Sequence, residues 1–144
     1  RSTVSVKRLR VRWHNTMVEC LALGLLTQSP TPAPSLLGTY RCEGTGPGGT
    51  TYQLQLEISQ PEGTPARVTL WRWTDAADRQ MSLGIGLALD DEADRIAVSF
   101  ATAAGMGVAV YRRVEPTLAG EYAGGPMIHT ERCVRGRLTP SSKA

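Results

Sequence analysis

The amino-acid sequence predicts an all-β fold, an eight-stranded antiparallel up-and-down barrel that follows an N-terminal leader outside the core. Three observations support this prediction. From residue 36 onward, apolar residues recur at every second position, which is the period of a strand with one buried face. The patterned segments are separated by short breaks that supply Gly, Pro or Asp. The chain also contains 15 glycines and 9 prolines, which suits many turns.

Eight segments make up the predicted sheet. The first opens the patterned region and carries Cys42, one of two cysteines in that region. The second alternates clearly, with Tyr52, Leu54, Leu56 and Ile58 on one face. In chain order the segments are 38–44, 52–58, 67–71, 81–89, 96–101, 108–111, 118–122 and 129–135.

The short breaks also predict how the strands are connected. Parallel neighbours need a crossover of about a dozen residues or more, so consecutive strands here are expected to pair antiparallel. An open meander would expose two strand edges, and closure into a barrel removes them. Closure places the first strand beside the last, so Cys42 and Cys133 lie on neighbouring strands. We expect a disulfide between them; the alternative is two unrelated buried thiols.

Residues 1–35 are expected to lie outside the barrel domain, which spans 36–137. A basic run at 7–12 precedes a short apolar run at 17–26 and a spacer with prolines at 30, 32 and 34, the layout of a secretory signal. A disordered tail or a short amphipathic helix is the alternative. The apolar run is shorter than the roughly 20 residues that span a bilayer, so no transmembrane span is predicted. Residues 138–144 are predicted to be a disordered tail.

The charge pattern argues against nucleic-acid binding. Five basic residues precede residue 36, and the rest of the chain carries 11 basic and 12 acidic residues, which are interspersed. Nucleic-acid surfaces usually show a basic stripe or patch, and the linear order contains none.

No catalytic residue, metal site or cofactor is expected from the sequence. His14 and His129 are the only histidines, and zinc sites usually need three or four closely spaced ligands. A Cys42–His129 pair would require a free thiol and an activating base. Glu121 and Glu131 could face each other in a lumen as paired carboxylates. A network balanced by nearby arginines is the simpler interpretation of those two acids.

Gly84 and Gly86 occur two residues apart inside one predicted strand, where glycine is unfavourable. They could allow a tight bend, lie beneath Trp71 or Trp73, or leave room for a ligand. An eight-stranded barrel is just wide enough to be filled by side chains or to hold one small ligand. The candidate lumen residues are three tyrosines and three aliphatic residues, namely Tyr40, Tyr52, Leu54, Leu83, Ile85 and Tyr111.

A series of glycine and aromatic motifs runs through residues 36–136. They are Gly38-Thr39-Tyr40-Arg41-Cys42-Glu43-Gly44, Gly48-Gly49-Thr50-Thr51-Tyr52, Leu70-Trp71, Leu83-Gly84-Ile85-Gly86-Leu87, Gly107-Val108-Ala109-Val110-Tyr111, Leu118-Ala119-Gly120-Glu121-Tyr122 and Thr130-Glu131. The series resembles a family of small secreted bacterial proteins that are often labelled "fibronectin-binding protein" or left uncharacterised. That label implies adhesion to host matrix.

The chain also has a weaker similarity to calycins such as lipocalins and avidins. These share a Gly-x-Trp in the first strand, packed against an arginine of the last. Here Gly38-Thr39-Tyr40 has tyrosine in place of tryptophan. The similarity implies a calycin-like barrel in which Arg132 or Arg135 packs against Tyr40.

Taken together, the sequence predicts a secreted or periplasmic barrel, a monomer without catalytic activity. Its partner would be a small apolar ligand in the lumen or an extracellular protein on the outer surface. The alternatives are an isomerase or hydrolase that acts in the lumen and a purely structural domain of the cell envelope.

Overall fold

The computed structural model describes residues 35–139 and shows a closed barrel of eight antiparallel strands in chain order. This confirms the predicted fold class. The strands are β1 (Gly38–Thr45), β2 (Thr51–Ser59), β3 (Val68–Thr74), β4 (Gln80–Ala88), β5 (Arg95–Thr102), β6 (Gly105–Val114), β7 (Thr117–Ala123) and β8 (Ile128–Arg135). A short 3-10 turn, Pro47–Gly49, joins β1 to β2. The predicted leader lies outside the described residues except for Ser35, as does the tail beyond residue 139.

The barrel closes where β1 pairs with β8, and Cys42 lies directly opposite Cys133 in that register. The two cysteines form a disulfide across a sequence separation of 91 residues. Both side chains are fully buried. The predicted disulfide is therefore confirmed, and it joins the first strand of the barrel to the last.

One end of the barrel is filled by side chains, and we call it the closed end. It is the end at which the β2–β3, β4–β5 and β6–β7 loops lie. Large apolar side chains from five strands meet there, and each is at most 2% exposed. These side chains are Tyr40, Leu56, Ile58, Trp71, Ile96 and Leu118.

A polar cluster covers the closed end. The Arg135 guanidinium lies 4.9 Å from the centre of the Tyr40 ring and donates two hydrogen bonds of 2.7 Å to the Glu115 carboxylate. These hydrogen bonds hold the pKa of Glu115 below its usual range. The Tyr40 hydroxyl donates to the Leu36 carbonyl at 2.7 Å. Arg135 is thus the last-strand arginine that contacts Tyr40, whereas Arg132 is exposed on the outer face.

The structure reverses the predicted orientation of β4. Leu83 and Ile85 were expected to face the lumen, but they are 39% and 52% exposed on the outer face, and Gly84 and Gly86 face inward. The physical reason is the bulk of Trp71, because a Cβ atom at Gly86 would overlap its indole ring. Of the explanations for the glycines, packing beneath Trp71 holds at Gly86, and the lumen placement of Leu83 and Ile85 is wrong.

This reversal leaves an aliphatic region on the outside of the barrel wall. Leu83, Ile85 and Leu87 of β4 are exposed, as are Val108 and Val110 of β6. The small residues of β5 lie between these two strands, since β5 pairs with both. An apolar probe could bind to this outer aliphatic region as well as in the lumen. Tests of lumen binding therefore need control substitutions in the outer region.

Substitution of Gly86 by alanine should lower the free energy of unfolding by about 1–3 kcal/mol, the usual cost of overpacking a core. Trp71 cannot easily move away, because it is fully buried and its indole nitrogen donates to the Thr69 hydroxyl at 2.8 Å. Urea denaturation measures the change. The matched control is Gly124→Ala, where an added Cβ has no atom within 4 Å. Equal stability of the two variants would contradict the proposed packing.

Candidate ligand-binding site in the barrel lumen

The end of the barrel opposite the closed end holds a cavity of about 450 Å³, which we call the lumen cavity. This volume lies within the range of small-molecule sites. Its upper rim comes from the β1–β2 and β5–β6 loops, and its walls come from inward side chains of the strands. The lining residues are Gly46, Pro47, Thr50, Tyr52, Leu54, Trp73, Met81, Ser82, Phe100, Thr102, Ala103, Ala104, Tyr111, Tyr122 and Glu131.

Glu131 is the charged residue of this lining and is only 6% exposed. Side chains alternate along a strand, so the inward position of Cys133 on β8 places Glu131, two residues earlier, on the same face. Its carboxylate accepts hydrogen bonds from the Tyr111 hydroxyl at 2.7 Å and from the Trp73 indole at 3.1 Å, both to Oε1. The Tyr52 hydroxyl donates to Oε2 at 2.7 Å. Glu131 thereby links β8 to β2, β3 and β6.

The two tyrosine hydroxyls act as fixed donors to this carboxylate. Burial raises the pKa of both Tyr52 and Tyr111, and the negative charge of Glu131 raises each pKa further. Both hydroxyls therefore stay protonated at neutral pH. The carboxylate is stabilised by neutral donors, and none of the four ion pairs seen within residues 35–139 involves Glu131.

Aromatic rings form much of the cavity wall. The Trp73 and Phe100 ring centres are 6.2 Å apart, and those of Phe100 and Tyr122 are 5.9 Å apart, both with edge-on geometry. Tyr122 also lies against His129 of β8 at 5.2 Å and donates its hydroxyl to the Thr45 carbonyl. Because these rings contact one another, they form a continuous apolar surface above Glu131.

Three of the six predicted lumen residues line the cavity, namely Tyr52, Leu54 and Tyr111. Tyr40 is inside the barrel but contributes to the packing of the closed end. Leu83 and Ile85, as described above, lie on the outside. The lumen is thus neither wholly filled nor wholly open: its closed end is packed and its other end is hollow.

Sequence reasoning missed several of the residues that shape the cavity. The periodicity assigns neither Trp73, which lies just beyond the third predicted segment, nor Phe100 to a site. The predicted orientation of β4, with Leu83 and Ile85 inward, turns Ser82 away from the cavity that it lines. Glu131 was considered only as a partner of Glu121, which is exposed on the outer face of β7. The signal that could have located Glu131 was its two-residue spacing from Cys133.

Cys42, Glu131 and Cys133 lie close enough together to suggest a metal site, with ligand atoms within 4.8 Å of one another. Metal binding by cysteine requires the thiolate, and both sulfurs are joined in the disulfide. The Cys133 sulfur lies 3.3 Å from Glu131 Oε1 as a contact, since a disulfide sulfur has no proton to donate. The same bond removes the free thiol that a Cys42–His129 pair would need.

The acidic turn at 90–94 is stabilised by a hydrogen bond between a side chain and a backbone amide of the same turn. Asp90 Oδ1 accepts the amide of Asp94 at 2.9 Å, which is the usual way that aspartate stabilises a turn.

No family model matches the chain, and no curated protein matches it. Within residues 35–139, the structure contains no helix of the length and apolar character needed to cross a bilayer. Function is therefore inferred from the lumen cavity itself.

Proposed function

We propose that this protein is an exported, non-enzymatic binding protein that takes one small ligand with an apolar or aromatic body into the lumen cavity. The observation that carries the proposal is the division of the lumen into a packed end and a hollow end. Protein interiors are normally close-packed, so side chains are expected to fill the lumen of a small barrel unless a ligand occupies part of it. The hollow end has the volume and the mainly apolar lining of a ligand site.

Binding without catalysis is supported by the state of the groups around Glu131. Three donors hold its carboxylate in one position, and the adjacent cysteines are joined in a disulfide. A nucleophilic mechanism needs an activated nucleophile beside a base, and the disulfide occupies the sulfurs that could serve. These groups suit the orientation of a ligand rather than its chemical conversion.

Export to an oxidising compartment, outside the cell or in the periplasm, is supported by two features. Disulfides persist in such compartments and are rare in the cytosol. The basic, then apolar, then proline-containing order of residues 1–35 is the layout of a secretory signal.

The lumen proposal is tested with the neutral fluorescent dye Nile red and two substitutions at adjacent positions of β4. Ser82 faces the cavity, and Leu83 faces solvent on the other side of the same strand. We expect saturable binding of one dye molecule per chain. Ser82→Phe should weaken it by about tenfold or more by filling the cavity, whereas Leu83→Phe should leave it unchanged.

Circular dichroism and thermal unfolding show whether each variant is folded. If Ser82→Phe does not fold, Leu54→Trp fills the same cavity from β2. Lumen binding would be contradicted if Leu83→Phe abolished Nile red binding while Ser82→Phe and Leu54→Trp left it intact. That outcome would favour contact through the outer aliphatic region, as expected for a protein that binds an extracellular partner.

A further inference from the structure

We infer that the ligand of the lumen cavity carries a protonated amine, which pairs with Glu131 while its apolar body lies against the aromatic wall. This inference rests on the proposed function, because it names the chemical class of the ligand for the same site. Four features of the cavity support it.

The first feature is the charge of Glu131. Carboxylates are almost never fully buried unless they are paired, because removal of a charge from water is costly. Glu131 is 6% exposed and accepts three hydrogen bonds from neutral donors, yet no ion pair within the described part of the chain includes it. A cationic ligand would supply the missing counter-charge.

The second feature is the unequal use of the two carboxylate oxygens. Oε1 accepts from Trp73 and Tyr111, whereas Oε2 accepts from Tyr52 alone. Each oxygen of an ionised carboxylate has about two acceptor positions. Oε2 therefore retains one acceptor position, and a protonated amine has N–H groups that can use it. A charge-assisted hydrogen bond of this kind is roughly twice as strong as a neutral one.

The third feature is the aromatic wall. Tyr52, Trp73, Phe100, Tyr111 and Tyr122 all contribute to the lining. The faces of such rings carry partial negative charge and attract ammonium groups, most strongly where water is excluded. The same rings offer apolar area to the body of the ligand. The aromatic wall therefore suits both the charged group and the apolar or aromatic body of a cationic ligand.

The fourth feature is the lack of positive charge in the lining. Neither lysine nor arginine is among the residues that line the cavity within the described chain. A ligand anion would meet the Glu131 carboxylate without a compensating cation, so like-charge repulsion should exclude it. The site is therefore expected to select by charge, with cations preferred over neutral molecules and anions bound least.

The test uses three probes that share a phenyl ring and differ in charge. Phenethylamine is a cation at neutral pH, phenethyl alcohol is neutral, and hydrocinnamate is an anion. Calorimetric titration of the full chain should show phenethylamine binding about tenfold or more tighter than the alcohol, with hydrocinnamate the weakest. Displacement of Nile red by phenethylamine should follow the same affinity.

Glu131→Gln provides the second measurement, because glutamine keeps an acceptor oxygen and removes the charge. We expect phenethylamine affinity to fall by about tenfold. The affinity for the alcohol should fall by clearly less, because the alcohol carries no charge and loses only the stronger hydrogen bond that an ionised acceptor provides. Glu121→Gln is the matched control. It removes a carboxylate that is exposed on the outer face of the adjacent strand β7, and it should leave all three affinities unchanged.

The outcomes separate this inference from the proposed function. Equal affinity of the amine and the alcohol in the unmodified protein, with Nile red still bound in the lumen, overturns the amine inference alone. The amine inference alone is also overturned if phenethylamine affinity is unchanged in a folded Glu131→Gln variant. The same holds if Nile red binds in the lumen but none of the three probes binds. If Ser82→Phe and Leu54→Trp leave the binding of dye and amine intact, both proposals fail.

Discussion

Replacement of both Cys42 and Cys133 by alanine should lower the free energy of unfolding by about 4–5 kcal/mol. The parent and the double variant both carry Cys20→Ser, which removes the third cysteine of the sequence, so the two proteins differ only at Cys42 and Cys133. The bond connects residues 91 positions apart, so it restrains nearly the whole barrel domain in the unfolded state. The chain-entropy model assigns a large stabilisation to so long a loop. Since both cysteines are fully buried, alanine avoids the added cost of an unpaired buried hydroxyl that serine would bring.

Denaturant titration of the double variant against the Cys20→Ser parent measures this difference. The chain-entropy account would be contradicted by a loss below about 1 kcal/mol, well under the usual range for a native disulfide. Mass spectrometry checks the bond itself, since the denatured parent should gain a pair of hydrogens on reduction. Reactive thiols at both positions in the unreduced protein would contradict the disulfide, and with it one of the two supports for export.

Glu131→Ala should destabilise the protein by about 3 kcal/mol or more, and by clearly more than Glu131→Gln. The substitution removes the acceptor of three donors, from Tyr52, Trp73 and Tyr111. Each buried donor that loses its partner costs about 1–3 kcal/mol. The expected total is nearer the lower end of the sum, because the lumen cavity can admit water to some of these groups.

A double-mutant cycle that combines Glu131→Ala with Tyr52→Phe isolates one of these hydrogen bonds. The double variant should be more stable than the sum of the single effects predicts, because Tyr52→Phe also removes the donor that Glu131→Ala leaves unsatisfied. Strict additivity would mean that the Tyr52–Glu131 hydrogen bond contributes little to stability. Equal stability of Glu131→Ala and Glu131→Gln would show that the acceptor role of this residue is unimportant to the fold.

The architecture was predictable because local patterns specify it. Alternation with period two identified the strands, and the short connections excluded parallel pairing and left the meander as the topology. The cost of exposed sheet edges then predicted closure. Closure alone brought Cys42 beside Cys133, although the two residues are far apart in the chain.

The face of each strand that points inward was harder to predict, and β4 shows why. Its sequence alternates large aliphatic residues with small ones, so the usual preference for buried Leu and Ile favours the wrong face. The interior space next to β4 is occupied by Trp71 from β3, and only glycine fits beneath that ring. Side chains from all the strands share the space inside the barrel. The sequence of one strand therefore does not determine which of its faces points inward.

The sequence by itself determined that this chain forms eight strands that close into a barrel, and it placed Cys42 beside Cys133 with a disulfide as the expected outcome. Only the tertiary structure decided that one end of the lumen is hollow and that Glu131 lies there among three aromatic donors. The reason is physical. Strand periodicity is a property of neighbouring residues, whereas a cavity is the volume left over after side chains from every strand have packed, and that volume is not encoded in any one segment.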